Sequence, residues 1–214
     1  MPKKSYKKRK AKIYRKTTET KIAGDLVIEG QGKADIKTGI GFLDHMLTLF
    51  AFHGLFDIKL RVKGDLEVDI HHTNEDVAIC IGQAFKKALG ACRGIRRFGS
   101  SEVPMDRARA KVAIDISNRF SYDGIKFKDR EIPPDLSSIK GSRPGENYSM
   151  EDGNDFLETL AKNIGMNLHV DILASSDMHH MLEAIFKALG IALDRATEID
   201  PRREKTVPST KGVL

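Results

Sequence analysis

Hydrophobic and polar residues alternate along this chain with two periods, one typical of strands and one typical of helices. They alternate one by one in RARAKVAIDIS, where Ala108, Ala110, Val112, Ile114 and Ile116 share one face, and this is the pattern of a half-buried strand. Further strands are predicted for FDIKLRVKG, NLHVDIL and the glycine-interrupted ETKIAGDLVIEGQGKADIKTG. Helical spacing of the apolar residues predicts helices in GFLDHMLTLFAFHG, NEDVAICIGQAFKKALG, NDFLETLAKNIG and HHMLEAIFKALGIALDRA.

The order of these elements repeats after about half of the chain. Each half contains strands, then a helix, a strand and a second helix that opens with two adjacent histidines. Strands that come in runs, followed by helices, are typical of an α+β fold in which the helices cover one face of a sheet. The sequence therefore predicts one compact, internally duplicated α+β domain, with residues 15–103 as the first half and residues 104–214 as the second.

The formal net charge of +6 is concentrated at the N-terminus. The first 16 residues carry nine Lys or Arg and no acid, which leaves 27 basic against 30 acidic residues in the rest of the chain. We therefore expect residues 1–14 to form a disordered basic tail. The remaining sequence has no Trp and no basic-aromatic motif of an RNA-binding module, so nucleic acid is not an expected partner.

The sequence predicts a cytoplasmic protein with no membrane partner. No apolar run approaches the ~18 residues that a membrane span needs, and the N-terminus lacks the apolar stretch of a signal peptide. Cys80 and Cys92 lie in or near an apolar helical pattern, which does not indicate a disulfide framework.

Two copies of His-His-x-x-Glu carry the candidate chemistry, in DIHHTNED and in DMHHMLEA. These stretches contain four of the seven histidines of the chain. If each copy begins a helix, residues i and i+4 lie on one side of it and residue i+1 lies about 100° away. His71 can then share a metal ion with Glu75, and His179 can share one with Glu183.

The second histidine of each copy, His72 or His180, must then face something else. The economical arrangement has two metal ions, each held by a His–Glu pair from one copy and a lone histidine from the other. Imidazole and carboxylate ligands without cysteine argue against a structural zinc site and suit a six-coordinate ion such as Mn(II), with Fe(II) as an alternative. The interpretation without metal is that the histidines cap helices and form local hydrogen bonds.

Several long stretches of the chain resemble the imidazoleglycerol-phosphate dehydratase family. They are TGIGFLDHML, DIHHTNEDVAICIGQA, HHMLEAIFKALGIALDRA and the C-terminal PSTKGVL, in the family's order, and the resemblance runs from about Arg15 to Leu214. It implies dehydration of imidazole glycerol phosphate to imidazole acetol phosphate in histidine biosynthesis. It also implies two Mn(II) ions per subunit and a 24-mer assembled from trimers, with active sites between subunits. Each half would be a mostly antiparallel sheet with the topology of the second domain of ribosomal protein S5.

The resemblance also implies which residues hold the two ions. One ion would be held by His45, His72, His179 and Glu183. The other would be held by His71, Glu75 and His180, with a further ligand from the start of the DFLETLA helix. The family has a histidine 24 residues before His179, where this chain has Asp155. We expect Asp155 to bind the second ion directly or through one water, and the alternative is that it caps its helix.

Catalytic and substrate-binding residues follow from the same resemblance. Glu19 aligns with a substrate-contacting glutamate and is expected to be the acid/base that moves the C2 proton, beside the metal ligands His45, His72, Glu75, His180 and Glu183. The expected substrate contacts are Glu19, His53, Arg97, Arg119, Lys187, Ser209, Thr210 and Lys211. The family usually reads Ser-Gly-Arg-Pro where this chain has Ser-Asn-Arg-Phe at 117–120, which leaves the local turn around Arg119 open.

Two competing functions belong to other classes. A two-metal hydrolase of a phosphate ester or amide would also use paired ions, because they activate water. Such hydrolases usually bridge ions ~4 Å apart with a carboxylate. A non-enzymatic RNA-binding module would use the basic tail and the S5-like topology, but it would have no use for the doubled metal motif.

Overall fold

Two four-stranded sheets with the same strand order form the outer layers of the molecule. The computed structural model describes residues 8–128 and 147–214. Its strands are β1 (Lys10–Lys16), β2 (Lys21–Val27), β3 (Ala34–Lys37), β4 (Asp57–Lys63), β5 (Phe98–Met105), β6 (Ala108–Ile116), β7 (Ser121–Phe127) and β8 (Met166–Ala174). The sheet orders are β1-β2-β4-β3 and β5-β6-β8-β7, and each sheet has two antiparallel pairs and one parallel pair. The predicted duplicated α+β fold is confirmed.

The helices of the two halves meet between the sheets. They are α1 (Gly41–His53), α2 (His71–Leu89), α3 (Met150–Ile164) and α4 (Met178–Thr197). α1 and α2 pack on the first sheet and α3 and α4 on the second, while α1 also packs against α4 and α2 against α3. One core therefore joins the halves, and Leu43, Phe85 and Leu189 in it are fully buried. No helix in the described ranges combines the length and hydrophobicity needed to cross a lipid bilayer.

A glycine allows α1 and α4 to cross closely. A Cβ added to Gly190 would lie 2.5 Å from the carbonyl oxygen of Phe50 and 3.0 Å from the backbone nitrogen of Gly54. A side chain at this position would push the two helices apart. The close crossing matters because His45 lies on α1 and the second His-His-x-x-Glu motif lies at the start of α4.

The first strand begins earlier than the sequence predicted. β1 starts at Lys10, and Ala11 and Ile13 are buried while Lys10, Lys12 and Tyr14 beside them are exposed. The predicted disordered tail is therefore wrong for residues 10–14. Lysines on the solvent face of a short amphipathic strand made it resemble a continuous basic segment. Residues 1–7 of the predicted tail lie outside the described residues.

The boundary between the halves also differs from the prediction. β5 pairs with β6 in the second sheet, so a boundary at 103/104 would cut through this strand. The chain leaves the first half between the end of α2 at Leu89 and the start of β5 at Phe98. Pro104 suggested a break, but β5 is an edge strand of its sheet, where proline is tolerated because one side of the strand needs no partner.

Candidate metal centre and anion pocket

Three side chains that can bind a metal meet where α1 crosses the start of α4. His179 and Glu183 are four residues apart on α4, and His45 reaches them from α1. Oε1 of Glu183 lies 2.9 Å from Nε2 of His45 and 3.0 Å from Nε2 of His179. The three ligand atoms all lie within 4.8 Å of one another. Two imidazoles and a carboxylate at this spacing can hold a divalent ion.

Glu183 is held as an anion although it is almost buried. It is 7% exposed, and its second oxygen, Oε2, accepts a hydrogen bond from Nζ of Lys187 at 2.7 Å. Burial raises the pKa of this carboxyl, but the hydrogen bonds from Lys187, His45 and His179 outweigh burial and lower the pKa to about 2. Because Lys187 occupies Oε2, Oε1 is the oxygen that Glu183 offers to a metal.

The start of α4 also orients His180. Asp177 is the N-cap of the helix: its Oδ1 accepts a hydrogen bond from the backbone N–H of His180 at 3.1 Å, and its Oδ2 contacts Nδ1 of the imidazole. Asp106, in the turn between β5 and β6, lies 3.3 Å from Nε2 of His180. The hydrogen bond to Asp177 raises the pKa of His180. Two carboxylates therefore fix the direction of this ring.

The first motif has a related arrangement at the start of α2. Nδ1 of His72 lies 3.1 Å from Oδ2 of Asp65, and this hydrogen bond raises the pKa of His72. The charge of Glu19, exposed in the turn between β1 and β2, also raises the pKa of His72. His71 is near α3, with its Nδ1 4.0 Å from Oδ2 of Asp155.

Sequence reasoning missed the carboxylates that contact these histidines. An aspartate stands two residues before each His-His pair, and this repeated spacing was a visible signal. In the second motif that aspartate, Asp177, does contact its histidine. In the first motif Asp69 instead accepts a hydrogen bond from the backbone N–H of His71 at 3.3 Å, while Asp65 contacts the ring of His72. The longer loop before α2 makes the difference.

Within the described residues of one chain, the predicted ligands do not assemble into two complete sites. His45, His179 and Glu183 form a group with metal-ligand spacing. His72, which the resemblance assigns to the same ion, contacts Asp65 instead. The other predicted set, His71, Glu75 and His180, does not form such a group in the described ranges, and Glu75 is exposed on α2. The assignment of these residues to a second ion stays a prediction.

Asp155 does not cap its helix. α3 begins at Met150, and its N-cap is Ser149. The Ser149 side chain accepts a hydrogen bond from the backbone N–H of Asp152. In return, the Asp152 carboxylate accepts a hydrogen bond from the backbone N–H of Ser149. This capping box satisfies the first turn. Asp155 lies further along the helix, where its carboxylate is 4.0 Å from Nδ1 of His71. The capping interpretation of Asp155 is therefore wrong.

A small pocket of about 150 Å³ gathers five of the predicted binding residues. Its lining residues are Arg97, Arg119, Ser209, Thr210, Lys211, Val213 and Leu214. Three cationic side chains and two hydroxyls around a space of this size suit an anion such as phosphate. His53 and Lys187 do not line the pocket. His53 closes α1, where burial and the nearby charge of Lys187 lower its pKa.

Arg97 is held in place by its neighbours before any ligand is bound. Its Nε and Nη2 donate to the two oxygens of Asp115 at 2.6 and 3.0 Å, and its Nη1 donates to the carbonyl oxygen of Pro208 at 3.0 Å. The guanidinium also lies over the ring of Phe98, 4.8 Å from the centroid. These bonds use three of the five N–H donors of the side chain.

The turn before Arg119 keeps a glycine-like backbone conformation. Asn118 has a φ of +55°, in the left-handed region that asparagine tolerates better than most residues. Its side-chain amide donates to the main-chain oxygen of Leu214 at 3.1 Å. The turn is therefore tied to the C-terminus, which lines the same pocket.

Comparison with known proteins agrees with this geometry. The family model described as imidazoleglycerol-phosphate dehydratase matches residues 38–193. Imidazoleglycerol-phosphate dehydratases of Thermoanaerobacter sp. (strain X514) and Bacillus licheniformis are 51% and 50% identical to the chain over 206 residues, which are 96% of this chain and 100% of each relative.

Two solved structures are similar to the whole fold. The imidazoleglycerol-phosphate dehydratase of Staphylococcus aureus is 29% identical, with a TM-score of 0.70, 89% of this chain covered and 100% of that chain. The IGPD of Pyrococcus furiosus in complex with (S)-C348 is 34% identical, with a TM-score of 0.72, 94% of this chain covered and 100% of that chain. The chain belongs to the imidazoleglycerol-phosphate dehydratase family.

Proposed function

We propose that this chain is a metal-dependent hydro-lyase of histidine biosynthesis, which converts imidazole glycerol phosphate to imidazole acetol phosphate in the cytoplasm. The observation that carries the proposal is the cluster of His45, His179 and Glu183 in a chain of this family. The pocket around Arg97 and Arg119 supplies the cations that a phosphorylated substrate requires. The test is the formation of imidazole acetol phosphate by the purified, Mn(II)-loaded protein. Failure to form this product would contradict the proposal.

The proposed cofactor is two divalent ions per subunit, Mn(II) first and Fe(II) as the alternative. The donor set fits such ions, since the clustered atoms are imidazole nitrogens and a carboxylate oxygen without thiolate. The first ion would be held by His45, His72, His179 and Glu183, and the second by His71, Glu75, Asp155 and His180. When bound, the ions act as Lewis acids and as a template for the imidazole ring of the substrate.

The protein side chains carry the other roles. Glu19 is proposed to move the proton at C2 of the glycerol chain, and its exposure together with the effect of its charge on the pKa of His72 supports this role. The phosphate is proposed to bind in the pocket, where Arg97 is already oriented by Asp115. Binding the phosphate there would hold the other end of the substrate toward the metals. The full set of proposed substrate contacts is Glu19, His53, Arg97, Arg119, Lys187, Ser209, Thr210 and Lys211.

Self-assembly is part of the proposal, as a 24-mer built from trimers with active sites between subunits. The split arrangement of the ligands supports it. In the described ranges of one chain His72 does not join His45, His179 and Glu183, and His71, Glu75 and His180 do not form a group with metal-ligand spacing. A neighbouring copy would supply the missing histidines. Metal binding would then stabilise the contact between copies, since each ion would be held from two sides.

The hydrolase alternative is less consistent with the cluster. A carboxylate that bridges two ions commonly offers one oxygen to each of them. In the cluster, Oε1 of Glu183 faces His45 and His179, while Oε2 is bonded to Lys187. Measuring free phosphate released from imidazole glycerol phosphate separates the two activities, since a dehydratase leaves the phosphate ester intact.

Asp65 is expected to position His72 for metal binding. A carboxylate at Nδ1 favours the tautomer that carries the proton there and leaves Nε2 free for an ion. We expect Asp65→Asn to weaken Mn(II) binding by ~10–100-fold, the usual effect of removing such a partner. Asp69→Asn is the matched control, because Asp69 lies in the same loop but contacts the backbone of His71. Titration calorimetry with Mn(II) measures both variants, and equal affinities would contradict this role for Asp65.

Replacement of Asp155 is expected to change the number of bound ions. Asp155→Ala should lower the metal content toward one ion per subunit, because it removes a carboxylate that lies 4.0 Å from His71. Asp155→His should keep two, since imidazole is also a ligand for such ions. Ser149→Ala is the control: it removes the real cap and should cost about 1 kcal/mol of stability without metal loss. Elemental analysis gives the metal content, and unchanged loading in Asp155→Ala would rule out ligation.

A further inference from the structure

The outer face of the first sheet carries a large excess of positive charge. Strand register aligns the exposed residues of β1, β2, β4 and β3 in rows across the sheet. The exposed cations are Lys10, Lys12, Lys16, Lys21, Lys37, Lys59, Arg61 and Lys63. The carboxylates on the same face are Asp25, Asp35 and Asp57. We call this set of residues, together with Tyr14 and Ala23, the basic face.

Part of the positive charge is neutralised within the sheet. One row reads Lys12, Asp25, Lys59, Asp35 from strand to strand. Within it, Nζ of Lys12 lies 2.6 Å from Oδ1 of Asp25. Arg61, in the next row, binds both carboxylate oxygens of Asp35 at 2.7 Å. This part of the basic face is balanced and has little charge left for an external partner.

The row at the end of the sheet contains only cations. Lys16 lies opposite Lys21, and Lys21 lies opposite Lys63, and all three are exposed. Neighbouring strands are about 4.8 Å apart. Like charges directly opposite each other on adjacent strands destabilise a sheet. An external polyanion would offset this repulsion.

The second sheet provides an internal control for this charge pattern. Its equivalent outer face has one alternating row, Glu102, Lys111, Asp171, Lys126. The register places three cations, Arg109, Lys111 and Lys126, and three carboxylates, Glu102, Asp115 and Asp171, on that face. Because both sheets have the same topology, the fold itself does not require the excess of cations on the first sheet.

We propose that the basic face binds single-stranded nucleic acid. Clustered Lys and Arg side chains neutralise phosphates of the backbone. Tyr14 lies in the row between the balanced row and the row of lysines, opposite the small Ala23, and it is 72% exposed. An exposed aromatic ring beside cations is a surface on which a base of a flexible strand can stack. The basic face carries no Leu, Ile, Phe or Trp for insertion into a bilayer, which favours nucleic acid over a membrane.

This inference rests on the placement of β1 and does not depend on the proposed enzyme activity. The sequence alone assigns the N-terminal positive charge to a disordered tail, and a disordered tail does not form a defined charged surface. In the structure, Lys16 lies in register with Lys21 and Lys63, and Lys12 shares a row with Asp25 and Lys59. The basic charge of β1 therefore belongs to a flat surface of the folded protein.

Two triple variants of the full-length, metal-loaded protein test the inference. One is Lys16→Gln, Lys21→Gln and Lys63→Gln on the basic face, and the control is Arg109→Gln, Lys111→Gln and Lys126→Gln on the second sheet. Both remove three charges and leave the N-terminal residues intact. Fluorescence anisotropy with a labelled 20-nucleotide poly(U) RNA gives Kd over a range of NaCl concentrations.

We expect the basic-face triple variant to bind at least ~10-fold more weakly than wild type in low salt, and its salt slope to fall by about 2. Tyr14→Ala should weaken binding by about 10-fold with an unchanged salt slope. The control should bind like the wild type. Equal weakening of both triples would overturn the proposal, since net charge alone would then explain binding. The proposal would also be overturned if the wild type did not bind RNA, or if it bound anionic vesicles and not RNA. A change in oligomer mass confined to the basic-face variant would overturn it as well.

Discussion

Complete removal of the divalent metal is expected to abolish turnover, and Mn(II) is expected to restore it. The reason lies in the cluster of His45, His179 and Glu183, whose ligand atoms lie within 4.8 Å of one another and leave one Glu183 oxygen for an ion. No other group in the described residues has this spacing. The measurement is product formation after chelation and after addition of Mn(II), with the metal content followed by elemental analysis.

Two variants make this experiment specific to the cluster. Glu183→Gln removes the anionic ligand and should not regain activity with Mn(II) at a concentration that restores the wild type. His169→Ala is the matched control, because His169 is exposed on β8 and contributes to no part of the site. It should lose and regain activity like the wild type. Full activity in a preparation shown to be metal-free would contradict the proposed function.

Chelation should also weaken assembly. Each ion is proposed to be held by ligands from two copies of the chain, so its loss removes bonds across the contact between them. Analytical ultracentrifugation before and after chelation measures the change in mass. If the oligomer kept its full mass without metal, the proposal that shared metal ligands stabilise the contact between copies would be contradicted.

Glu19→Gln is expected to lower kcat by ~10²-fold or more, the usual effect of losing a positioned acid/base group. Gln keeps the size of the side chain but cannot take or give the proton at C2. Metal content and substrate affinity should stay at the wild-type level, since Glu19 is exposed in a turn and belongs to neither predicted ligand set. Steady-state kinetics and elemental analysis measure the three quantities.

Arg119→Ala should have the opposite kinetic effect. It removes a cation from the anion pocket, so KM should rise by more than kcat falls. The control for Glu19→Gln is Glu102→Gln, which neutralises an exposed glutamate on the outer face of the second sheet. This control variant should have the kcat and KM of the wild type. If Glu19→Gln raised KM alone and Arg119→Ala lowered kcat alone, the two roles would have to be exchanged.

The elements of the fold were largely predictable from local patterns. Alternation in β6 and helical spacing in α1, α2, α3 and α4 identified these elements, because burial of one side leaves a period that can be read in the residues themselves. The strands β1, β5 and β7 were not predicted. In β1 the buried positions are only Ala11 and Ile13, and the lysines beside them, Lys10 and Lys12, concealed the alternation.

The helix ends were less predictable than the helices. α3 begins at Met150, five residues before Asp155, because Ser149 and Asp152 form a capping box. The sequence around Asp155 also permits a cap there, and the choice between two possible caps depends on how the helix packs. The role of Asp155 therefore changed when the start of the helix was known.

Residue types and their repeated spacing were enough to predict the duplication and a metal-binding role for the paired histidines, and the resemblance of several long stretches identified the family. Only the tertiary structure decided which side chains meet. His45 and Glu183 are 138 residues apart and come together because Gly190 allows α1 and α4 to cross closely. Asp65 rather than Asp69 contacts His72, since the loop before α2 decides which carboxylate reaches the ring. Both contacts depend on how helices and loops pack in three dimensions, and a local pattern of residues does not contain that information.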